Sequence, residues 1–139
     1  MRRTARENAF KLIFETLVSG GDAKISHDAF VADMAEDGVM LMDRLYNGAD
    51  GEREFLSNTI SRYARGFKLD RIYKIDLAIL MVASYEILFC EDIPDKVSAN
   101  EAVEIAKIYS TDNSPSFING ILAGIIRDKE DIINERNAD

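Results

Sequence analysis

The chain has 139 residues and a formal net charge of −8, with 25 Asp and Glu against 17 Lys and Arg. Its 47% hydrophobic content supports one buried core and excludes a disordered chain, and no apolar run approaches the ~20 residues of a membrane span. The N-terminus lacks the apolar segment of a signal peptide, and the single cysteine, Cys90, excludes an internal disulfide, so a reducing cytoplasm is the expected compartment.

An acidic chain is not an obvious partner for phosphate, but the distribution of charge matters more than the sum. Residues 1–15 carry Arg2, Arg3, Arg6 and Lys11 against Glu7 and Glu15, a local basic island.

Taken in order, the elements read as helices. Only two prolines and no alternating β-branched run are present, so strands are poorly supported. Thr4 and Glu7 fit a capping box, with a first helix to about Val18. Its buried stripe is Ala5, Ala9, Leu12, Ile13, Thr16 and Leu17, and Gly20-Gly21 stops it. Residues 26–48 hold one or two shorter helices, with Phe30, Met34, Val39, Met42 and Leu45 toward the core. Residues 51–66 read as another, burying Phe55, Ile60 and Tyr63 and ending at Gly66.

Leu69 to Phe89 is the most apolar stretch and leaves little polar face, which predicts a central helix. Ile93-Pro94 ends it. Ser98 and Glu101 form a second possible capping box for a helix carrying Ala102, Val103, Ile105, Ala106 and Tyr109. Ser114-Pro115 suits a new helix start, and Phe117, Ile121, Leu122, Ile125 and Ile126 fill the helix that follows. The charged end, Asp128 to Asp139, is expected to fray. The expected fold class is all-α: six or seven helices packed as two small bundles in a single domain, an N-terminal half of about 1–66 and a C-terminal half of about 67–139.

Catalysis requires converging titratable groups, and the sequence offers none. His27 is alone in a polar turn and reads as a surface residue. Cys90 reads as a packed thiol, since Glu91 and Asp92 follow it and a reactive thiolate needs an electropositive setting. No Cys/His spacing suits zinc, and no phosphate-binding loop or dinucleotide fingerprint occurs. A binding protein without enzyme activity or cofactor is expected.

Three features are left. Arg2, Arg3 and Arg6 sit where the positive helix terminus disfavours cations; they are either a solubilising terminus or an arm that meets phosphate. Gly120-x-x-x-Gly124 points to close helix packing, because each glycine costs up to ~1 kcal/mol in a helix interior. Asn100 and Asn119 read as side chains that satisfy backbone groups. Phe117 is either core or a platform on which a base stacks.

Four segments together resemble the NusB family of bacterial transcription antitermination factors. They are Arg2-Arg3-Thr4-Ala5-Arg6-Glu7; Ile75-Asp76-Leu77-Ala78-Ile79-Leu80 followed by Ala83-Ser84-Tyr85-Glu86-Ile87; Pro94 to Lys107; and Ser116-Phe117-Ile118-Asn119-Gly120-Ile121-Leu122. Their order and spacing span essentially the whole chain. The resemblance implies two helical bundles, no catalysis, and binding of the single-stranded boxA element of ribosomal RNA leaders. It also implies a heterodimer with NusE, a small-subunit ribosomal protein, within the RNA polymerase antitermination complex. By position, Arg2, Arg3 and Arg6 would contact RNA phosphate, Phe117 would stack on a base, and Asn113 and Ser116 would lie beside it. Asp76, Leu80 and Met81 would face NusE. Free protein is expected to bind RNA weakly, and more tightly with NusE; monomer and homodimer both remain open. Two alternatives stand beside this: a purely protein-binding adaptor of the same fold, and the family's RNA methyltransferases, disfavoured because no cofactor-binding domain follows.

Overall fold

The computed structural model describes residues 2–138, which form eight α-helices and one 3-10 turn. These are α1 (Arg2–Ser19), α2 (Lys24–Ala32), α3 (Glu36–Gly51), α4 (Arg53–Tyr63), the turn Leu69–Arg71, α5 (Lys74–Phe89), α6 (Asp95–Tyr109), α7 (Ser114–Arg127) and α8 (Lys129–Ala138). The all-helical expectation holds, with one helix more than the six or seven read from sequence. Among the described residues no helix is long and apolar enough to cross a membrane.

Helix α5 is the axis of the molecule. It is buried from Asp76 to Ser84 and again from Glu86 to Leu88, because α1, α3, α4, α6, α7 and α8 all pack on it. That is why its sequence is apolar nearly all round. Helix α1 lies against both α3 and α5 and buries Ala5, Ala9, Leu12, Ile13 and Thr16, as its periodicity predicts. It stops at Gly20, whose φ of 76° is a left-handed conformation that costs glycine little.

Both predicted capping boxes are replaced by tertiary contacts. Helix α1 starts at Arg2, so Thr4 is inside the helix and not at its N-cap. Helix α6 starts at Asp95 behind an extended Pro94, and the Ser98 hydroxyl donates instead to the Glu86 carboxylate at 2.9 Å. A cap contributes about 1 kcal/mol, less than the burial of Ala5 and the pairing of Arg6 with Glu86 that extend α1 to its first turn. His27 likewise lies within α2, not in a turn, at 2.6 Å from Asp43. The N-cap of α7 is Asn113, one residue before the predicted Ser114.

Residues 129–138 form α8 where fraying was expected. Local propensity does not hold this charged helix; long-range contacts do. Ile132 is buried, Arg136 pairs with Glu52 at 2.8 Å and lies over the rings of Phe55 and Phe89, and Glu135 meets Arg62 at 3.1 Å. Just before α8, Asp128 accepts hydrogen bonds from Arg127 and Tyr63, which hold its carboxyl down at about 2. Its folded pKa is depressed, so its contribution is complete above the ordinary carboxylate value near ~4 and is lost as pH falls through about 2. Acid titration of Asp128→Asn, followed by circular dichroism, is expected to show a smaller loss of stability in that window than the parent chain shows.

The glycine pair in α7 divides. A Cβ on Gly124 would lie 2.6 Å from Tyr63 Cδ1, so this glycine lets α4 and α7 approach closely, as expected. A Cβ on Gly120 meets nothing within 4 Å, and Gly120 is exposed, which corrects the packing role expected for it. Gly124→Ala is therefore expected to lower stability by about 1–3 kcal/mol through overpacking, against a helix-propensity gain of ~1 kcal/mol. Gly120→Ala is expected to raise stability, and paired thermal melts of the two variants check the sign.

Candidate nucleic-acid interface

The N-terminal arginines do not act as a group. Arg2 and Arg3 are exposed. Arg3 holds Glu101 of α6 at 2.6 Å while half of its side chain stays in solvent. Arg6 is 3% exposed. Its Nε and Nη2 donate to Glu86 at 3.0–3.1 Å, and its Nη1 lies 3.7 Å from Glu101. Arg6 is thus a buried ion-pair partner, where the sequence pointed to an exposed cation. Pairing of the guanidinium with Glu86 outweighs the small electrostatic cost of a cation near the positive end of α1, which explains its place in the first turns of that helix.

The central-helix residues expected to face a partner are interior. Leu80 and Met81 are fully buried, and Asp76 is 2% exposed. Asp76 accepts the hydroxyls of Ser110 and Ser114, so its carboxylate ties the start of α5 to the α6–α7 connection. Leu80 and Met81 are thus core residues where surface contacts were expected, because α5 is covered by its neighbours, and Asp76 reaches solvent only at the floor of a cleft. Asn100 and Asn119 reverse in the other direction. Both are exposed, and neither makes a side-chain hydrogen bond among the described residues. Cys90 is buried, and burial pushes its thiol up to about 11, in keeping with a packed cysteine.

Asn113 and Ser116 are exposed at the start of α7. Phe117 is half-buried: it packs on the core, and its remaining face borders a surface cleft. There it meets Phe67 edge to face, 5.3 Å between ring centres. The cleft holds about 330 Å³ and is lined by Phe67, Arg71, Tyr73 and Phe117, with Asp76, Thr111, Asn113 and Ser114 supplying polar atoms. Phe67, Arg71 and Tyr73 were not read from the sequence. The available signal was charge: residues 62–74 hold Arg62, Arg65, Lys68, Arg71 and Lys74 against Asp70 alone. A second basic island, shorter than the first but more strongly charged, lies in a net-acidic chain.

The two islands are linked along α6. Arg3 and Lys11, eight residues apart on α1, meet Glu101 and Tyr109, eight residues apart on α6. Lys11 Nζ lies 4.9 Å from the centre of the Tyr109 ring. The helices therefore run side by side in the same direction, and these cations span about 12 Å at 1.5 Å per residue. The cleft begins just past Tyr109, at Thr111. In order along α6 lie Arg3 with Glu101, Lys11 with Tyr109, and the aromatic cleft.

Comparison with known proteins agrees with this architecture. The family model "NusB family" matches residues 3–127. The transcription antitermination protein NusB of Clostridium novyi is 39% identical over 130 residues, covering 91% of this chain and 98% of its own. That of Bacillus pumilus is 39% identical over 127 residues, covering 91% and 95%. The solved T. maritima NusB superposes with a TM-score of 0.86 at 30% identity, over 96% of this chain and 97% of its own. A chain from a crystal structure of the antitermination factors NusB and NusE with dsRNA shares the fold, with a TM-score of 0.81 at 19% identity over 91% and 96%. With a family match across nearly its whole length and a central helix, helical order and connections that follow it, this chain belongs to the NusB family.

Proposed function

We propose that this chain is a transcription antitermination factor that binds the boxA element of ribosomal RNA leaders together with NusE and supports processive ribosomal RNA transcription. The observation that carries the reading is its near-full-length similarity to curated antitermination NusB proteins. No catalytic role is part of the proposal.

The site assignments rest on chemistry. Arg2 and Arg3 are solvent-facing guanidiniums suited to phosphate oxygens. Phe117, with Asn113 and Ser116 beside it, offers a stacking face and adjacent hydrogen-bonding groups for an unpaired base. Arg6 supports this surface from below: it anchors α1, and Glu101 lies within reach of both Arg6 and Arg3. The acidic remainder of the body repels RNA, which confines binding to the cationic edge.

Titration of boxA and scrambled RNA, with and without NusE, tests the function. Preference for boxA that strengthens with NusE is the expected result. Equal affinity for both RNAs in both conditions would leave only a protein-binding adaptor. Within a positive result, Arg2→Ala and Arg3→Ala are each expected to reduce the slope of log K against log salt by about one unit or less. Phe117→Ala is expected to cost ~1–3 kcal/mol of RNA affinity, and melting curves separate that loss from any effect on the core.

A further inference from the structure

We infer that the connector between α4 and α5 is a second RNA-contacting element, in which Phe67 and Tyr73, with Phe117, form a slot for one unstacked nucleobase. The inference deepens the proposed function and rests on it.

Exposed apolar area is the first ground. Phe67 is 51% exposed and Tyr73 64%, and both border one cleft with Phe117. Two large aromatic residues in a ten-residue connector gain little stability there, since half or more of each stays in water. Nor are they carried on a loose loop. Phe67 N–H donates to the Ala64 carbonyl, Arg71 N–H to Lys68 and Ile72 N–H to Leu69, at 2.9–3.2 Å. Ala64 and Ile72 are buried and pin the connector from both ends. The rings are therefore positioned before any ligand arrives, which lowers the entropy cost of binding.

The cleft has the size and chemistry of a base site. Its volume of about 330 Å³ is at the small end of ligand pockets, which run from about 300 Å³ upward. Aromatic walls accept any base by its face. The polar part is directional. Asp76 is acceptor-only when ionised, and each of its oxygens takes one serine hydroxyl and keeps further lone-pair capacity. Asn113 adds an amide that both donates and accepts. A base entering with an N–H edge toward Asp76 finds an acceptor there.

Charge selects the class of partner. Arg65, Lys68, Arg71 and Lys74 are exposed, and none forms a salt bridge among the described residues. Four uncommitted cations, with Arg71 lining the slot and the others in or next to the connector that carries it, on a chain of net charge −8, match a single strand that supplies a phosphate for each base. An acidic protein surface would satisfy the cations but has no use for the slot.

The test uses the full chain in complex with NusE, and single-stranded boxA RNA carrying 2-aminopurine at one position at a time. One position is expected to be quenched on binding, and Tyr73→Ala or Phe67→Ala is expected to restore its emission and weaken binding about 5- to 150-fold. Tyr73→Phe, which keeps the ring, is expected to retain both. Lys74→Ala and Arg71→Ala are each expected to lower the salt slope by up to about one unit. Unchanged RNA affinity in the Phe67→Ala/Tyr73→Ala double variant overturns the slot, as does weaker NusE binding in that variant without RNA present. If the parent complex prefers boxA while the double variant is unaffected, the slot alone falls. If the parent complex does not prefer boxA, the proposed function falls and the slot with it.

Discussion

Arg6→Ala is expected to cost about 3–5 kcal/mol of unfolding free energy, because it leaves the Glu86 carboxylate buried without its counter-charge. The pair is almost wholly out of water, with side-chain exposures of 3% and 1%. Glu86 would retain only the Ser98 hydroxyl at 2.9 Å, and one neutral hydrogen bond does not offset the desolvation of an ionised group. Chemical denaturation of the variant measures the loss directly. A variant of Arg2 or Arg3, by contrast, is expected to alter stability by under ~0.5 kcal/mol, as exposed positions usually do. The three arginines that look alike in sequence thus separate by a simple measurement. If Arg6→Ala melts with the parent chain and loses RNA affinity, Arg6 belongs to the interface after all. The order of effects matters for any study of this surface: loss of RNA binding in Arg6→Ala says nothing about phosphate contact until folding has been checked.

Met81→Ala is expected to cost about 2–5 kcal/mol, the range for truncating a large side chain in a core that cannot collapse around the cavity. Met81 is fully buried, midway along a helix covered on all sides. Met81→Leu, which nearly preserves volume, is expected to cost under ~1.5 kcal/mol. A partner contact would give the opposite pattern, with normal melting and a loss confined to NusE affinity. Asp76 calls for the same separation. Its carboxylate joins α5 to Ser110 and Ser114, so Asp76→Asn perturbs the α6–α7 connection, and with it the placement of Asn113 and Phe117. An effect of Asp76 on either partner is then transmitted through the shape of the cleft.

The family's segments in this sequence mark two physically different things. Most of the stretch from Pro94 to Gly120 builds the helix pair α6 and α7. Ser98, Ala99, Ala102, Ile105 and Ala106 are buried on α6, and Ser114, Ile118, Ile121 and Leu122 on α7. Asn100, Asn119 and Gly120 are among its exposed positions, and no side-chain hydrogen bond or close packing among the described residues accounts for them.

The sequence by itself determined the helical class, the order of elements and most of the core. Those properties follow from the spacing of apolar residues and from glycine and proline punctuation, which act within one or two turns of chain. The stripe of α1 and the apolar girth of α5 were legible for that reason, and so was the family. Tertiary structure alone decided which polar residues face water. Arg6 and Arg3 are three positions apart, yet one meets Glu86, 80 residues away, and the other is half in solvent. Helix α8 forms because distant rings and carboxylates receive Arg136 and Ile132 is buried, although its local sequence favours fraying. The aromatic cleft unites Phe67, Tyr73 and Phe117 from two regions that share no sequence motif. Charge burial and side-chain convergence depend on contacts between residues far apart in the chain, and local pattern carries no record of them.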